Sequence, residues 1–541
     1  MVEFWRMPAA PRAAAPLPVL TLLLTALVVG SPVVAETGRV VVAISPPSAE
    51  TNLYWATPGD FSLQPSMQSL VGHDPETGIY DNSALAESWE ANDDFTEWTF
   101  QLKPEAEWHF DWGPVTAEDV VHSYELHTQE GAIIIGMGLL QGAEVSADDT
   151  HTVTFRLPEP RPNFLFAHGG RGTMLLYSKA QYDAEGIEGY LTRPAGTGLW
   201  AYVERRVGEG LVFRRVEDHW SGERTDFEEL EIRFVAEPGT KLAMILSGEA
   251  HIADLPREVQ GDALDAGHNV VASRRPSMHT FFLFNGLYCT TGDEACRPEL
   301  PWADVRVREA INRAIDREAM LDVLYDGRAG VLAQIAMYEP HEGFVPELVE
   351  RFEEMYGYDP ERARDLLDEA GYPDAFDDPT IPLVMMVLPG NPEFATMTEL
   401  LQVQLADIGL QAEIREMDFA SLGAMGRARE AYLLNPLRNA PIRPTEVGLR
   451  NFYATDGTPY AGFEHDTIQA LIRDLGDALD PDERHRIAGE AFTWLFETYS
   501  DIPIAAIHTE LVTNPEVVRD WAFPGVASIG VSHWHLIQAA R

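Results

Sequence analysis

Residues Thr280–Gly327 read TFFLFNGLYCTTGDEACRPELPWADVRVREAINRAIDREAMLDVLYDG. The apolar, aromatic run Phe281, Phe282, Leu283 and Phe284 predicts a buried strand. A loop follows that holds the only cysteines of the chain, Cys289 and Cys296. Beyond it, Asp304 stands as the N-cap of a helix with apolar positions at Val307, Ala310, Ile311, Ala314, Ile315, Met320 and Leu324. A strand, a loop and an amphipathic core helix fit a great many α/β proteins, so the segments on either side have to narrow the choice.

The chain has 541 residues, 45% of them hydrophobic, and a formal charge of −47. That is material for a large core and more than one lobe. Its positive charge is nearly all arginine, the lysines being Lys103, Lys179 and Lys241. A field of this sign repels nucleic acid and anionic membrane surface, so neither is expected as a partner. The acidic residues are scattered and mixed with 10% aromatics, which describes a solvated acidic surface, not a disordered tail.

Residues 1–35 have the pattern of a secretory leader. Arg6 and Arg12 supply a positive first segment, Leu17 to Gly30 an apolar one, and Val33-Val34-Ala35 a small-residue cleavage site before Glu36. The apolar run is short for a membrane span, although an uncleaved anchor is the alternative. No cysteine lies near the cleavage point, and the two arginines are not adjacent. The expected location is therefore the periplasm, after cleavage behind Ala35. An even pair of cysteines in an exported chain suggests a disulfide between Cys289 and Cys296. Closing so short a loop stabilises by roughly 2–3 kcal/mol in the chain-entropy model. No histidine lies between Asn285 and Pro301, so a zinc site is not expected there.

Taken in order, Arg39 to Ile44 (RVVVAI) predicts a first strand that Pro46-Pro47 ends. Ala84 to Gly131 alternates as strands through Trp98, Phe100 and Leu102 and then starts a helix at Thr116, where Thr116 and Asp119 have capping-box spacing. Thr152 to Leu157 is another alternating strand, and Glu231 to Pro256 reads strand, helix, strand. Past the opening stretch, Asp359-Pro360 starts a helix that Gly371 and Pro373 stop, Ile381 to Leu388 is a strand, Ala395 to Gly409 a helix and Gln411 to Ile414 a strand. Asp480-Pro481 opens a helix to Tyr499, followed by the strand Ile502 to Ile507. This βαβ rhythm predicts an α/β protein with parallel-containing sheets.

Three segments carry a resemblance. LAESW…WTFQL…EWH…VTAEDV between Leu85 and Val120, RPAGTGLW at Arg193–Trp200, and the Asn285, Pro298–Pro301, DVRVREAINRAIDR series are similar to extracytoplasmic solute-binding proteins of family 5, the peptide/nickel/oligosaccharide binders that include dipeptide- and oligopeptide-binding proteins. The resemblance runs from about Ala84 to the C-terminus. It implies a two-lobed periplasmic-binding-protein fold of the large, type II-like class, with mixed sheets and an extra N-terminal subdomain. It places a leader at 1–35, lobe one at 36–279 with a subdomain inserted at about 73–192, lobe two at 280–502, and a return to lobe one at 503–541. It also implies a monomer that closes on a peptide or similar polar solute and docks on the permease subunits of an ABC importer. A binder of oligosaccharides or opines, or a sensory protein feeding a chemoreceptor, is the alternative.

The candidate ligand residues follow from that resemblance. Thr197 and Trp200 belong to the glycine-rich loop, with Leu199-Trp200 in place of the family's Pro-Tyr, and a tight turn is the bland alternative. Asn285 ends the buried strand. Tyr54 and Trp55 suit stacking on a sugar or apolar side chain, or equally a core. In peptide binders of the family an Asp in a D-P-D-like motif catches the amine, whereas here Arg443-Pro444-Thr445 stands in that place, with Glu446 as a substitute. Arg438, Asn439 and Arg443 fall in this loop, and the two arginines suit a carboxylate fork or a surface ion pair.

Enzyme signatures fail by inspection: there is no P-loop, no G-x-S-x-G, no H-E-x-x-H and no S-x-x-K. His533 and His535 have no carboxylate within a turn and read as packing residues. No catalysis, cofactor or metal is expected.

Overall fold

The computed structural model describes residues 38–540 except 48, 57–61, 170–172, 375, 377–380, 387–392, 459–461 and 527–530. The expected leader lies outside the described residues. Two lobes are each built on their own mixed sheet. In the first, seven strands run in the order Asn269–Ala272, Glu510–Thr513, Ile252–Ala253, Arg39–Ile44, Glu229–Phe234, Gly210–Arg215 and Trp200–Arg206. Arg39–Ile44 lies between two parallel neighbours and is buried at every position after Arg39, which is why it is a continuous apolar run and not an alternating one.

The six strands of the second sheet are ordered Gly330–Val331, Asp501–Ile507, Met278–Phe284, Leu434–Asn439, Ile381–Met386 and Ala412–Met417. Met278–Phe284 sits in the middle, antiparallel to both neighbours, and Phe281 to Phe284 are almost wholly buried in the core of the lobe. The strand Ile502–Ile507, expected to return the chain to lobe one, is therefore a partner of Met278–Phe284 in the second sheet. The chain reaches the first sheet one strand later, at Glu510–Thr513. Hydrophobic pattern alone does not distinguish these, since both strands are apolar and buried.

A second difference lies in the opening stretch. Asp304 does cap a helix, its side chain accepting from the Arg306 amide at 2.9 Å, but that helix covers only Val305–Arg313. Asp316 then caps a separate helix, Arg317–Tyr325. Tertiary hydrogen bonds hold the break: buried Arg317 donates to the carbonyls of Pro503 at 2.7 Å, Asn312 at 3.0 Å and Tyr356 at 3.0 Å. The capping box at Thr116 and Asp119 is present on the helix Ala117–Thr128, which packs on a four-stranded antiparallel sheet of its own (Ala86–Ala91, Glu97–Leu102, Thr152–Arg156, Glu144–Ala147). Cys289 and Cys296 are joined by a disulfide.

Two short pieces of chain, 273–277 and 508–509, connect the sheets and lie side by side. The Ser273 amide donates to the Thr509 carbonyl at 2.9 Å, the Ser277 amide to that of Ile507 at 2.7 Å, and the Ser277 and Thr509 hydroxyls stand 2.7 Å apart. Glu510 also bridges the lobes, pairing with Arg257 of the first at 3.0 Å and Arg328 of the second at 3.1 Å. Among the described residues no helix is long and apolar enough to cross a membrane.

Candidate functional site: a cavity between the lobes

One cavity, of about 320 Å³, takes its walls from both lobes. The first lobe contributes His73 and Tyr80 from the hairpin Gly72–His73/Tyr80–Asp81, and Asn163, Leu165 and Phe166 from a loop after the four-stranded sheet. The second lobe contributes His341 and Glu342, and the loop Ile442, Arg443 and Thr445 that follows Leu434–Asn439. That loop is tied down at both ends: the Tyr338 hydroxyl donates to the Asn439 carbonyl at 2.7 Å, and the Thr445 hydroxyl to the Glu342 carbonyl at 2.8 Å. Tyr338 is itself stacked on His279 at 3.9 Å between centroids.

The charges around the cavity are unequal in their freedom. Arg484, buried behind the wall, holds Glu342 with two bonds, Nε to Oε2 at 2.9 Å and Nη2 to Oε1 at 2.8 Å. Its Nη2 also stands 3.6 Å from Glu446, whose carboxylate accepts from Asn163 of the other lobe at 3.3 Å. Glu446 does not line the cavity. Arg443 does, and among the described residues it has no ion-pair partner. The residue is exposed, while the protein around the guanidinium pulls its pKa below the usual arginine value. Burial lowers His73 to about 3, helped by the neighbouring His533 and His341 rings, and lowers His341 to about 4. Both rings are neutral at pH 7, each offering one donor and one acceptor. Burial also pushes the Tyr80 phenol up, so it stays protonated.

The structure disperses most of the residues expected from sequence. Tyr54 and Trp55 are core: the Tyr54 amide donates to the Tyr177 hydroxyl at 2.9 Å, and the Trp55 ring stands edge-on to Tyr177 at 4.8 Å. Thr197 is buried, its hydroxyl on Gln68 and its carbonyl accepting from His219 and Trp220 at 2.8 Å each. The glycines flanking it are required by the protein itself, because a Cβ on Gly196 would stand 2.1 Å from the Ser66 carbonyl oxygen and one on Gly198 2.8 Å from that of Pro65. Trp200 is buried, with its indole nitrogen on the Trp534 carbonyl at 3.2 Å. Asn285 is buried, its amide on the Leu433 carbonyl at 2.9 Å and its own carbonyl accepting from Trp302 at 3.0 Å.

The arginine fork does not form. Arg438 is paired across the sheet with Thr280 and lies in the field of Tyr325 and Glu393, and neither it nor Asn439 lines the cavity. Arg443 alone of the ligand candidates does. His73, Tyr80, His341, Glu342 and Arg484 were not anticipated. The only local sign was the turn chemistry of HDPETGIY at His73–Tyr80, where Asp74 accepts from the Thr77 amide at 2.7 Å. His533 lies behind this hairpin with its ring on the His73 carbonyl at 2.8 Å, a packing role. Among the described residues no group of three or more His, Cys, Asp or Glu is placed to hold a metal ion.

The family model for bacterial extracellular solute-binding proteins, family 5 (middle), matches residues 82–457. The chain belongs to that family. This family 5 protein is 27% identical over 352 residues to heme-binding protein A of Haemophilus influenzae, an overlap of 61% of this chain and 60% of that one. It is 25% identical over 482 residues to di/tripeptide-binding protein 1 of Pseudomonas aeruginosa, covering 84% and 86%. The chain spans only about three fifths of the length of several curated relatives it matches, 60% in the Haemophilus case. In fold it is similar to HbpA2 from Haemophilus parasuis, with a TM-score of 0.75 at 21% identity over 93% of this chain and 100% of that one.

Proposed function

We propose that this family 5 protein is the periplasmic substrate-binding subunit of an ABC importer. It captures a small solute between its lobes and presents the closed form to the membrane permease, without catalysis. The observation that carries the reading is the cavity walled by both lobes, which are joined by two short, mutually hydrogen-bonded crossings. A solute touching both walls binds the closed state better than the open one, so binding shifts a hinge equilibrium toward closure. Relatives named for peptides and heme support a solute-binding role.

In this reading residues 1–35 are a leader removed after Ala35, and the mature chain is a monomer. The first lobe comprises 36 to about 277 with the subdomain inserted at about 73–192. The second runs to Ile507, and the remainder rejoins the first. The test is small-angle scattering with a thermal-shift screen of the chain from Glu36 onward, against peptides, oligosaccharides and carboxylates. A cognate solute raises the melting temperature by mass action and reduces the radius of gyration. A solute that stabilises without any compaction refutes capture by closure.

A further inference from the structure

Resting on the reading of the cleft as a solute site, we infer that the solute is a compact carboxylate with an apolar body and no free ammonium group, its carboxylate held by Arg443. The cavity, about 320 Å³, is at the small end of ligand sites, which run from about 300 to 1,000 Å³. Leu165, Phe166 and Ile442 make part of its wall apolar, which suits a solute with hydrocarbon on the side that faces them.

Charge decides the rest. A protein with a net charge of −47 attracts cations over its whole surface, yet the carboxylate in the described wall of the cavity is already paired with an arginine. Among the described residues the one acidic member of its wall, Glu342, has both oxygens engaged by Arg484 at 2.8 and 2.9 Å. Displacing that bidentate pair would leave the buried guanidinium with only the longer, 3.6 Å approach to Glu446 as counter-charge, a penalty set against what one solute ammonium gains. Arg443 is the reverse case, a guanidinium in the wall with no carboxylate within ion-pair reach among the described residues. Its planar fork matches a carboxylate two bonds at a time.

A second group is also unmatched: Nδ1 of His341 is shielded from solvent with no hydrogen-bond partner among the described residues. The ring stands neutral in the cavity wall and so adds no charge there to pair with a solute ammonium. A zwitterionic peptide would bring a carboxylate that Arg443 can hold and an ammonium that must lose water against Leu165 and Phe166 with no counter-charge.

Four probes of matched size separate these cases, used with the full mature chain in thermal-shift and titration calorimetry. N-acetyl-leucine carries a carboxylate and no ammonium, N-acetyl-leucinamide neither, leucinamide only the ammonium, and alanyl-leucine both. N-acetyl-leucine is expected to bind at least about tenfold more tightly than the other three, the worth of one charge-assisted hydrogen bond. Arg443→Gln, on an exposed position that leaves the fold intact, should remove that preference and leave the amide's affinity unchanged. Equal or tighter binding of leucinamide or alanyl-leucine overturns the inference while leaving capture in the cleft standing. So does an affinity for N-acetyl-leucine that Arg443→Gln changes by less than twofold. No thermal shift with these probes, nor with any peptide or sugar, counts against cleft capture itself and removes the inference with it.

Discussion

Replacing Arg484 with methionine should destabilise the second lobe and change what the cleft attracts. Arg484 is 3% exposed and its guanidinium makes four hydrogen bonds: two to Glu342 at 2.9 and 2.8 Å, and one each to the carbonyls of Leu475 at 2.8 Å and Ala478 at 3.1 Å. Methionine fills much of the aliphatic volume and forms none of them. Removing one partner of a buried ion pair costs about 3–5 kcal/mol, because the other charge is left without compensation. The Glu342 and Glu446 side chains are 22% and 20% exposed, so water recovers part of that loss and the lower end, about 3 kcal/mol, is expected. Urea unfolding followed by tryptophan fluorescence reads this as a lower midpoint at unchanged slope. The double variant Arg484→Met/Glu342→Gln, which also removes the stranded charge, should recover about half of it. In the single variant the released Glu342 carboxylate faces the cavity, so leucinamide should now bind. An Arg484→Met protein within about 1 kcal/mol of the parent, or a double variant no better than the single, would refute the account of a charge held out of the cleft by its neighbour.

Three further outcomes are expected. His168 sits among Phe100, Phe155 and Phe164, neither ring nitrogen has a hydrogen-bond partner among the described residues, and burial lowers it from 6.5 to about 3. Its pKa is depressed in the folded state, so the stability it contributes is complete above pH 6.5 and is lost as pH falls from there toward 3, about 2 kcal/mol by pH 5. His168→Phe should lose less stability than the parent between pH 7.5 and 5, and parallel melting curves at the two pH values would contradict this. Trp55→Ala should cost about 3–5 kcal/mol by leaving a core cavity beside Tyr177. It should leave solute affinity in calorimetry unchanged, whereas a ligand platform at Trp55 would lose affinity more than stability. Replacing Cys289 and Cys296 together by serine should cost about 2–3 kcal/mol and abolish the effect of added reductant on the melting temperature.

Much of the architecture was legible because it is written in local chemistry. The caps at Asp304, Asp359 and Asp480 each accept the expected amide, at Arg306, Arg362 and Glu483. The strands Arg39–Ile44 and Met278–Phe284 fall on the runs that predicted them. A cap or an apolar run acts over a few residues, so its sequence and its structure are nearly the same information.

The failures share another cause. The break at Ala314 depends on Arg317 finding carbonyls at Pro503 and Tyr356, and the sheet that takes Asp501–Ile507 depends on where Met278–Phe284 already lies. The Gly196-Thr197-Gly198 loop, a ligand candidate by resemblance with a tight turn as the alternative, needs its glycines because the backbone at Pro65 and Ser66 approaches them.

The sequence by itself determined the family, the two-sheet α/β class, the helix starts and the presence of an arginine where an amine-catching aspartate was expected. Only the tertiary structure decided what surrounds that arginine. It brought His73 and His341 to one cavity, set Arg443 there without Arg438, and engaged Glu342 and Glu446 with Arg484. A charge acts on a ligand only to the extent that nothing nearer neutralises it, and its nearest neighbours here lie far along the chain.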